Sequence, residues 1–305
     1  MKRIDIDWNV WKPRLLYGGF FALAFLVALR QTFPTEAVKD RMLLEAAASG
    51  WQLDADEVFP AGLVGIGAKN VRLEDRTGAR LAADEVDLTL RPLPLLIGRR
   101  SVAYDVRLWD GRITGTADLS GAERRMTAKI DGIDLARATP LRKAAGLELV
   151  GEVRGTVDLT VPEDPQGKPR GAALLAVKGA GVNGGQLPIP SMGGGLTLPK
   201  IGLGEVQVDL DLTDGKGTFK RLEAKGGDAE LSTEGLAFTW QPRLEYAPLS
   251  GKARVKLADA FWSSSATAAF RSVADMVLAS AKGPDGAYRF QVFGSLGHPQ
   301  LRPGS

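Results

Sequence analysis

Few side chains in this 305-residue chain could do chemistry, and their spacing is informative mainly for what it excludes. There is no cysteine, which removes disulfides, thiol nucleophiles, Cys-ligated zinc and iron–sulfur clusters. The one histidine, His298, sits in Gly297-His298-Pro299, so HExxH sites, multi-histidine metal centres and most serine-hydrolase triads are also excluded. Ser/Lys pairs, carboxylate pairs and arginine chemistry stay formally open. Ser263-Ser264-Ser265 offers hydroxyls, but no strand-elbow glycine pattern surrounds them and helix capping accounts for them. The run Gly179 to Gly184 satisfies GxGxxG, yet a dinucleotide site needs a helix to begin there, and Pro188 and Pro190 forbid it. Ser191 to Gly195 is glycine-rich but lacks the Lys-Ser/Thr pair of a phosphate-binding loop. Asp54, Asp56 and Glu57 could gather calcium on paper, but the glycine and terminal glutamate of an EF-hand are missing, and the cluster reads as a solvated strand face. No enzyme, cofactor or metal is called for.

Composition points to the elements that would position any site. Lys and Arg number 39 against 36 Asp and Glu, and the net charge of +3 is too small to imply nucleic acid. With 37 glycines and 17 prolines the chain turns often, which favours short strands over long helices.

Leu15 to Leu29 is an uncharged apolar run bracketed by Lys12, Arg14 and Arg30. At ~1.5 Å per residue it covers roughly 22 Å, and snorkelling arginines with flanking Trp8, Trp11 and Tyr17 extend it toward the ~30 Å of a bilayer core. A cleaved signal peptide is the competing reading, but Arg30-Gln31-Thr32-Phe33-Pro34 offers no small-residue cleavage site. The surplus of Lys2, Arg3, Lys12 and Arg14 over Asp5 and Asp7 keeps the N-terminus cytoplasmic. The expected organisation is a cytoplasmic segment 1–14, a transmembrane helix 15–30, a juxtamembrane helix 31–50 and a β domain 51–305 across the membrane.

Thr35 can cap the juxtamembrane helix and Gly50 can stop it, with Val38, Met42 and Ala46 as its apolar stripe. Beyond Trp51 the period becomes two. Placing Asp110-Gly111 at a type I′ turn aligns Leu108 with Ile113, Val106 with Gly115, Tyr104 with Ala117 and Val102 with Leu119 on one face. Asp105, Arg107, Arg112, Thr114, Thr116 and Asp118 share the other. Alternation recurs in Leu147, Leu149, Val153, Val157, Leu159 and Val161, where Gly151 and Gly155 let the strand bend. It recurs in Val206, Val208, Leu210 and Leu212, followed by an Asp214-Gly215 turn and by Phe219 and Leu222, whose different parity requires a bulge. A last strand, Tyr288, Phe290, Val292 and Leu296, finishes the chain. Gly111–Leu119 and Gly151–Leu159 echo each other at an offset of 40 residues. Pro188 to Gly204 reads as a long loop or irregular edge, and Pro162 to Arg170 as a polar hairpin loop. A second helix, capped by Ser263 or Ser264 and closed by Gly283, carries the stripe Ala266, Phe270, Val273 and Val277, as core or as a lid over an apolar groove.

The order of these parts resembles the AsmA-like superfamily. The resemblance rests on the N-terminal anchor, the helix ending in Gly50, the amphipathic strand Phe59 to Leu73, the segment Asp84 to Gly98 and the Asp110-Gly111 hairpin. The LPIP segment Leu187 to Pro190, the strand after Gly204, the late helix and the ending Phe293 to Pro303 are similar to the protein N family of type II secretion systems. The resemblance implies a bacterial inner-membrane, single-pass protein whose mainly β, long curled antiparallel sheet, with two short helices, is periplasmic and trough-shaped. Val102, Tyr104, Val106, Leu108, Ile113, Leu149, Val153, Val157, Val206, Val208, Leu210, Tyr288, Phe290 and Val292 are then the candidate lining of that trough. Two functions follow. One is a non-enzymatic accessory subunit contacting inner-membrane and periplasmic secretion components. The other is a lipid-binding module holding phospholipid acyl chains.

Overall fold

The fold is that of a computed structural model, which describes residues 34–48, 50–62, 64–75, 80–139, 146–164, 166–189, 194–263 and 278–304, together with Thr267, Arg271 and Met276. The segment 1–14 and the candidate span Leu15 to Leu29 lie outside the described residues. Among the described residues no helix is long and apolar enough to cross a membrane.

Helix α1 spans Thr35–Ala48. Its sequence is rich in Ala, Leu, Glu, Arg and Met, all good helix formers, and an Arg41–Glu45 ion pair one turn apart supports its exposed side. Gly50, at φ 84°, supplies the expected left-handed stop. Val38, Met42 and Ala46 are half-buried, and Val38 packs against the apolar cluster around Ala55, Val58 and Ala68.

The rest is one antiparallel sheet of sixteen strands. They are β1 Trp51–Asp54, β2 Glu57–Pro60, β3 Gly65–Asp75, β4 Arg80–Leu90, β5 Ser101–Leu108, β6 Gly111–Asp118, β7 Glu123–Asp134 and β8 Leu147–Pro162. They continue with β9 Arg170–Ile189, β10 Gly194–Leu198, β11 Ile201–Thr213, β12 Lys216–Lys225, β13 Ala229–Thr239, β14 Leu249–Leu257, β15 Tyr288–Gly294 and β16 Pro299–Pro303. β1 and β2 pair with β3 in one continuous register, as do β10 and β11 with β9. Each couple is thus a single interrupted strand, broken at Ala55-Asp56 and at Pro199-Lys200. Every strand therefore lies beside its neighbours in sequence, and the two outer strands do not meet, so the sheet is open. Two short helices join it: α2 Pro92–Leu96 between β4 and β5, and α3 Asp259–Trp262 after β14.

Several expectations are corrected. The described helices number three, because Asp84 to Gly98 is a strand followed by α2, where Pro92 occupies the first turn. Phe59 to Leu73 is a hairpin whose strands β2 and β3 pair up to Pro60 with Ile66, and the Ala61 N–H meets the Gly65 carbonyl at 3.0 Å. The turn between β5 and β6 is Trp109-Asp110, at φ 49° and 60°, one residue earlier than expected. Gly111 instead opens β6, where a side chain would meet the Ile133 amide at 2.5 Å. All pairs therefore move by two residues, to Val106 with Ile113 and Tyr104 with Gly115, so the two face sets survive the shift. Pro188 to Gly204 is paired strand on both sides of residues 190–193, since the main chain of this Gly/Pro stretch completes ladders with β9. A further strand, β16, follows the expected last one, and Leu296 lies in the turn between them. Ser263 follows α3 at its C-terminal end, where its hydroxyl donates to the Asp259 carbonyl at 3.2 Å. Ser264, Ala266, Phe270, Val273 and Val277 lie outside the described residues.

Other expectations hold. Asp214-Gly215, at φ 50° and 76°, turns β11 into β12, and the required bulge is present, with Asp209 opposite Arg221, Leu210 opposite Phe219, and Lys220 left over between them. Gly151 and Gly155 adopt φ 130° and 157°, Gly151 beside a register shift between β8 and β9 and Gly155 beside one between β7 and β8. The Pro162 to Arg170 segment is the β8–β9 loop.

Candidate functional site

Antiparallel pairing sets directly opposed side chains on the same face, so each register position extends into a row across the strands. One row is Val86, Val106, Ile113, Ile130, Gly155, Leu175, Val208 and Leu222. A second is Leu88, Tyr104, Gly115, Ala128, Val157, Ala173, Leu210 and Phe219. A third runs from Leu90 through Val102, Ala117, Met126, Leu159, Gly171, Leu212, Gly217 and Phe238 to Leu249. From Val153 a fourth passes through Val177, Val206, Ala224, Leu231 and Val255 to Tyr288. No charged residue occurs in any of them. At ~4.8 Å between strands the third row is roughly 43 Å long, and the Val102–Leu108 side is about 20 Å along the strand.

All fourteen sequence-predicted residues belong to this face. Leu108, Tyr288 and Val292 are buried, while the other eleven are half-buried. Apolar clusters close the face at its two ends, one around Val58, Val71, Leu108 and Ile133, the other around Leu212, Phe238, Leu249 and Val292. Between them the face is only partly covered, and no large side chain among the described residues is less than 2% exposed. Leu88 and Met126 keep 38% and 43% of their surface.

Sequence reading missed the contributions of β4, β7, β9, β13 and β14. In β9, Ala173, Leu175 and Val177 face the apolar side, but Ala172, Leu174 and Ala176 face the other, so no alternation is visible. Leu174, 54% exposed, is apolar on the polar side. In β7 the Ile130–Ile133 bulge breaks the period.

The opposite face is laced with ion pairs. Arg112 grips Asp105, its Nε at 2.7 Å from Oδ1, and Arg107 reaches Glu85 at 2.9 Å. Arg170 meets both oxygens of Glu123 at 2.8 and 2.7 Å, and Arg125 holds Asp158, Nε to Oδ1 at 3.1 Å. Hydrogen bonds from these arginines hold the carboxyls of Asp105, Asp158 and Glu123 below their ordinary range. Those last two pairs line an open depression of about 640 Å³, where the guanidinium groups are already engaged. Asp87 is the exception: burial, then the neighbouring charges of Glu85 and Asp105, push its carboxyl up, and its buried Oδ1 has no hydrogen-bond partner.

Motifs weighed in the sequence fall into the scaffold. Asp54 and Asp56 bind Arg72 at 2.9 and 2.6 Å, and Glu57 binds Lys69 at 2.9 Å. The GxGxxG run lies inside β9. His298 is exposed in the β15–β16 turn. Among the described residues no group of three metal-ligating side chains comes together.

These features define a class: open, single-sheet antiparallel β proteins with one apolar and one ion-paired face. Comparison with protein-family models, curated proteins and solved structures gives no match.

Proposed function

We propose that the chain is a non-enzymatic, AsmA-like lipid-handling module whose sheet curls into a trough that shields phospholipid acyl chains. The observation that carries the reading is the apolar face, free of charge across ten strands and left half-exposed between its two end clusters. Monomers seldom leave a large contiguous apolar surface without an occupant. Its width of about 20 Å exceeds the ~15 Å of one leaflet's hydrocarbon, half of a ~30 Å core. The apolar run Leu15 to Leu29 would tether the module to the inner membrane, with the sheet on the periplasmic side.

Lipid extraction from the purified full chain tests this. Phospholipid should co-purify with the wild type and be lost from Val157→Asp and Val208→Asp while both variants stay folded. A folded, lipid-free wild type would reject the reading.

The alternative is a type II secretion accessory subunit that makes protein contacts. It is favoured by the open edge at β16, whose five residues are all exposed and whose outer side pairs with nothing among the described residues. A photo-crosslinker at Gln300 that captures a secretion component in cells would support it, and loss of crosslinking alongside retained lipid would reject it.

A further inference from the structure

The connection between β4 and β5 carries the most exposed apolar cluster among the described residues. Leu93, Leu96 and Ile97 keep 76%, 82% and 74% of their surface, and Leu95 keeps 49%. Main-chain bonds join this connection to two more exposed side chains. Leu90 donates to the Val64 carbonyl at 2.8 Å, and Leu119 donates to the Arg100 carbonyl at 2.8 Å, with Val64 at 42% and Leu119 at 47% exposed. The connection is ordered despite this exposure: Gly98 N–H bonds Leu95 at 3.0 Å, Arg99 N–H bonds Pro94 at 2.9 Å, and Arg91 N–H bonds Ser101 at 2.9 Å.

At the base of this apolar tip stand Arg91, Arg99 and Arg100, all exposed. None makes an ion pair among the described residues. Across the ion-paired face arginines are matched: Arg72, Arg107, Arg112, Arg125, Arg154 and Arg170 each hold a carboxylate. Unmatched cations around an aliphatic tip are complementary to a surface that is anionic outside and hydrocarbon within.

We propose that the Arg91–Arg100 connection inserts into the surface of an anionic phospholipid leaflet, with Leu93, Leu96 and Ile97 among the acyl chains and Arg91, Arg99 and Arg100 on the phosphates. The proposal does not rest on the trough reading, since a sheet that carries no lipid could still dock in this way.

The absence of cysteine from the chain makes a positional test direct. The full chain with Leu96→Cys, or with Ala136→Cys in the exposed turn after β7 beside the far end of β5, is labelled with an environment-sensitive fluorophore. Each is mixed with phosphatidylcholine vesicles containing spin-labelled lipid, with or without phosphatidylglycerol. The expected result is a blue shift and strong quenching at position 96 with phosphatidylglycerol, little without it, and none at position 136. Adding Arg91→Glu, Arg99→Glu and Arg100→Glu should abolish most of the quenching at position 96, and so should Leu93→Glu with Ile97→Glu. All these side chains are exposed, so folding is preserved, and far-UV circular dichroism checks it. Absence of quenching at position 96, equal quenching at both positions, or quenching indifferent to the arginines would each overturn the proposal. Co-purified lipid varies independently of these outcomes, so failure here and failure of the trough reading are distinguishable.

Discussion

Tyr104 on β5 donates its phenolic hydrogen to the main-chain carbonyl of Thr127 on β7, at 2.8 Å, by reaching across Gly115 on the strand between them. A methyl group on Gly115 would collide with both partners, the Thr127 carbonyl and the tyrosine ring. The ring covers the gap that the glycine leaves, so three strands are tied at one point. Burial pushes the Tyr104 hydroxyl up from its ordinary value, so it remains a donor throughout the neutral range.

Replacing Tyr104 with Phe keeps the ring and removes the donor, which should cost about 1 kcal/mol. Gly115→Ala should cost more, on the order of 2–3 kcal/mol, because backbone must move. Urea denaturation of the two variants checks the order, and an Ala variant as stable as wild type would contradict this account of the site.

Deleting Lys220 should be tolerated. It is the extra residue of the β12 bulge, and without it Phe219 and Leu222 would stand two positions apart and stay on the apolar face. Deleting Arg107, in the regular strand β5, should unfold the sheet, because everything on one side of it changes face. Thermal melting should show the first deletion within about 2 kcal/mol of wild type and the second without a cooperative transition.

Acid and neutral pH should act on different carboxylates. Asp105 and Asp158 have folded values below the ordinary 3.8, through hydrogen bonds from Arg112 and Arg125. Their contribution is present above the unfolded value and lost as pH falls through the lowered folded values. Asp87 runs the opposite way, because its folded value is raised, chiefly by burial. It favours the folded state while protonated, and that contribution is lost as pH rises through the raised value. Asp87→Asn should therefore stabilise the protein at pH 7, on the order of 1 kcal/mol, and give no gain near pH 3. Melting temperatures across that range decide it, and a gain that is equal at both ends would contradict the assignment.

Charge placed on the apolar face should be tolerated according to cover. Leu108 is 5% exposed within the N-terminal cluster, so Leu108→Asp leaves an unpaired buried carboxylate and should cost upwards of 3 kcal/mol. Val157 is half-buried between Ala128 and Ala173, where water can reach a new charge, and Val157→Asp should cost about 1 kcal/mol. Chemical denaturation of the pair measures the difference, and equal losses would mean that the middle of the face is as closed as its end.

The sheet was legible where alternation is strict. Val102 to Leu108 and Val206 to Leu212 each show one apolar and one polar side, and parity requires a bulge between Phe219 and Leu222, which falls at Lys220. The hairpin turn was misplaced because Asp-Gly is the stronger signal for a left-handed pair, yet Gly111 is needed for close approach to Ile133, leaving Trp109 and Asp110 to take the positive angles. Pro188 to Gly204 was misread because its ladder depends on main-chain groups, while glycine and proline report only what the side chains allow. In β9 both faces carry apolar side chains, so period two vanished from a strand of 20 residues. The exposure of Leu93, Leu96 and Ile97 had no local signature, since Pro-Leu-Pro-Leu-Leu-Ile reads equally well as core.

Because each strand of this sheet pairs only with its neighbours in sequence, nothing in the topology sets its length. A barrel must close at a given strand number, but a meander can gain or lose a hairpin at any turn, and an added pair of strands leaves every downstream side chain on its original face. Stability is then a sum of adjacent couplings, as in a solenoid, so one end can fray while the other stays folded. The chain behaves as a ruler: its reach grows by roughly 10 Å with each hairpin inserted, through duplication of a segment no longer than the 40-residue echo between β6 and β8.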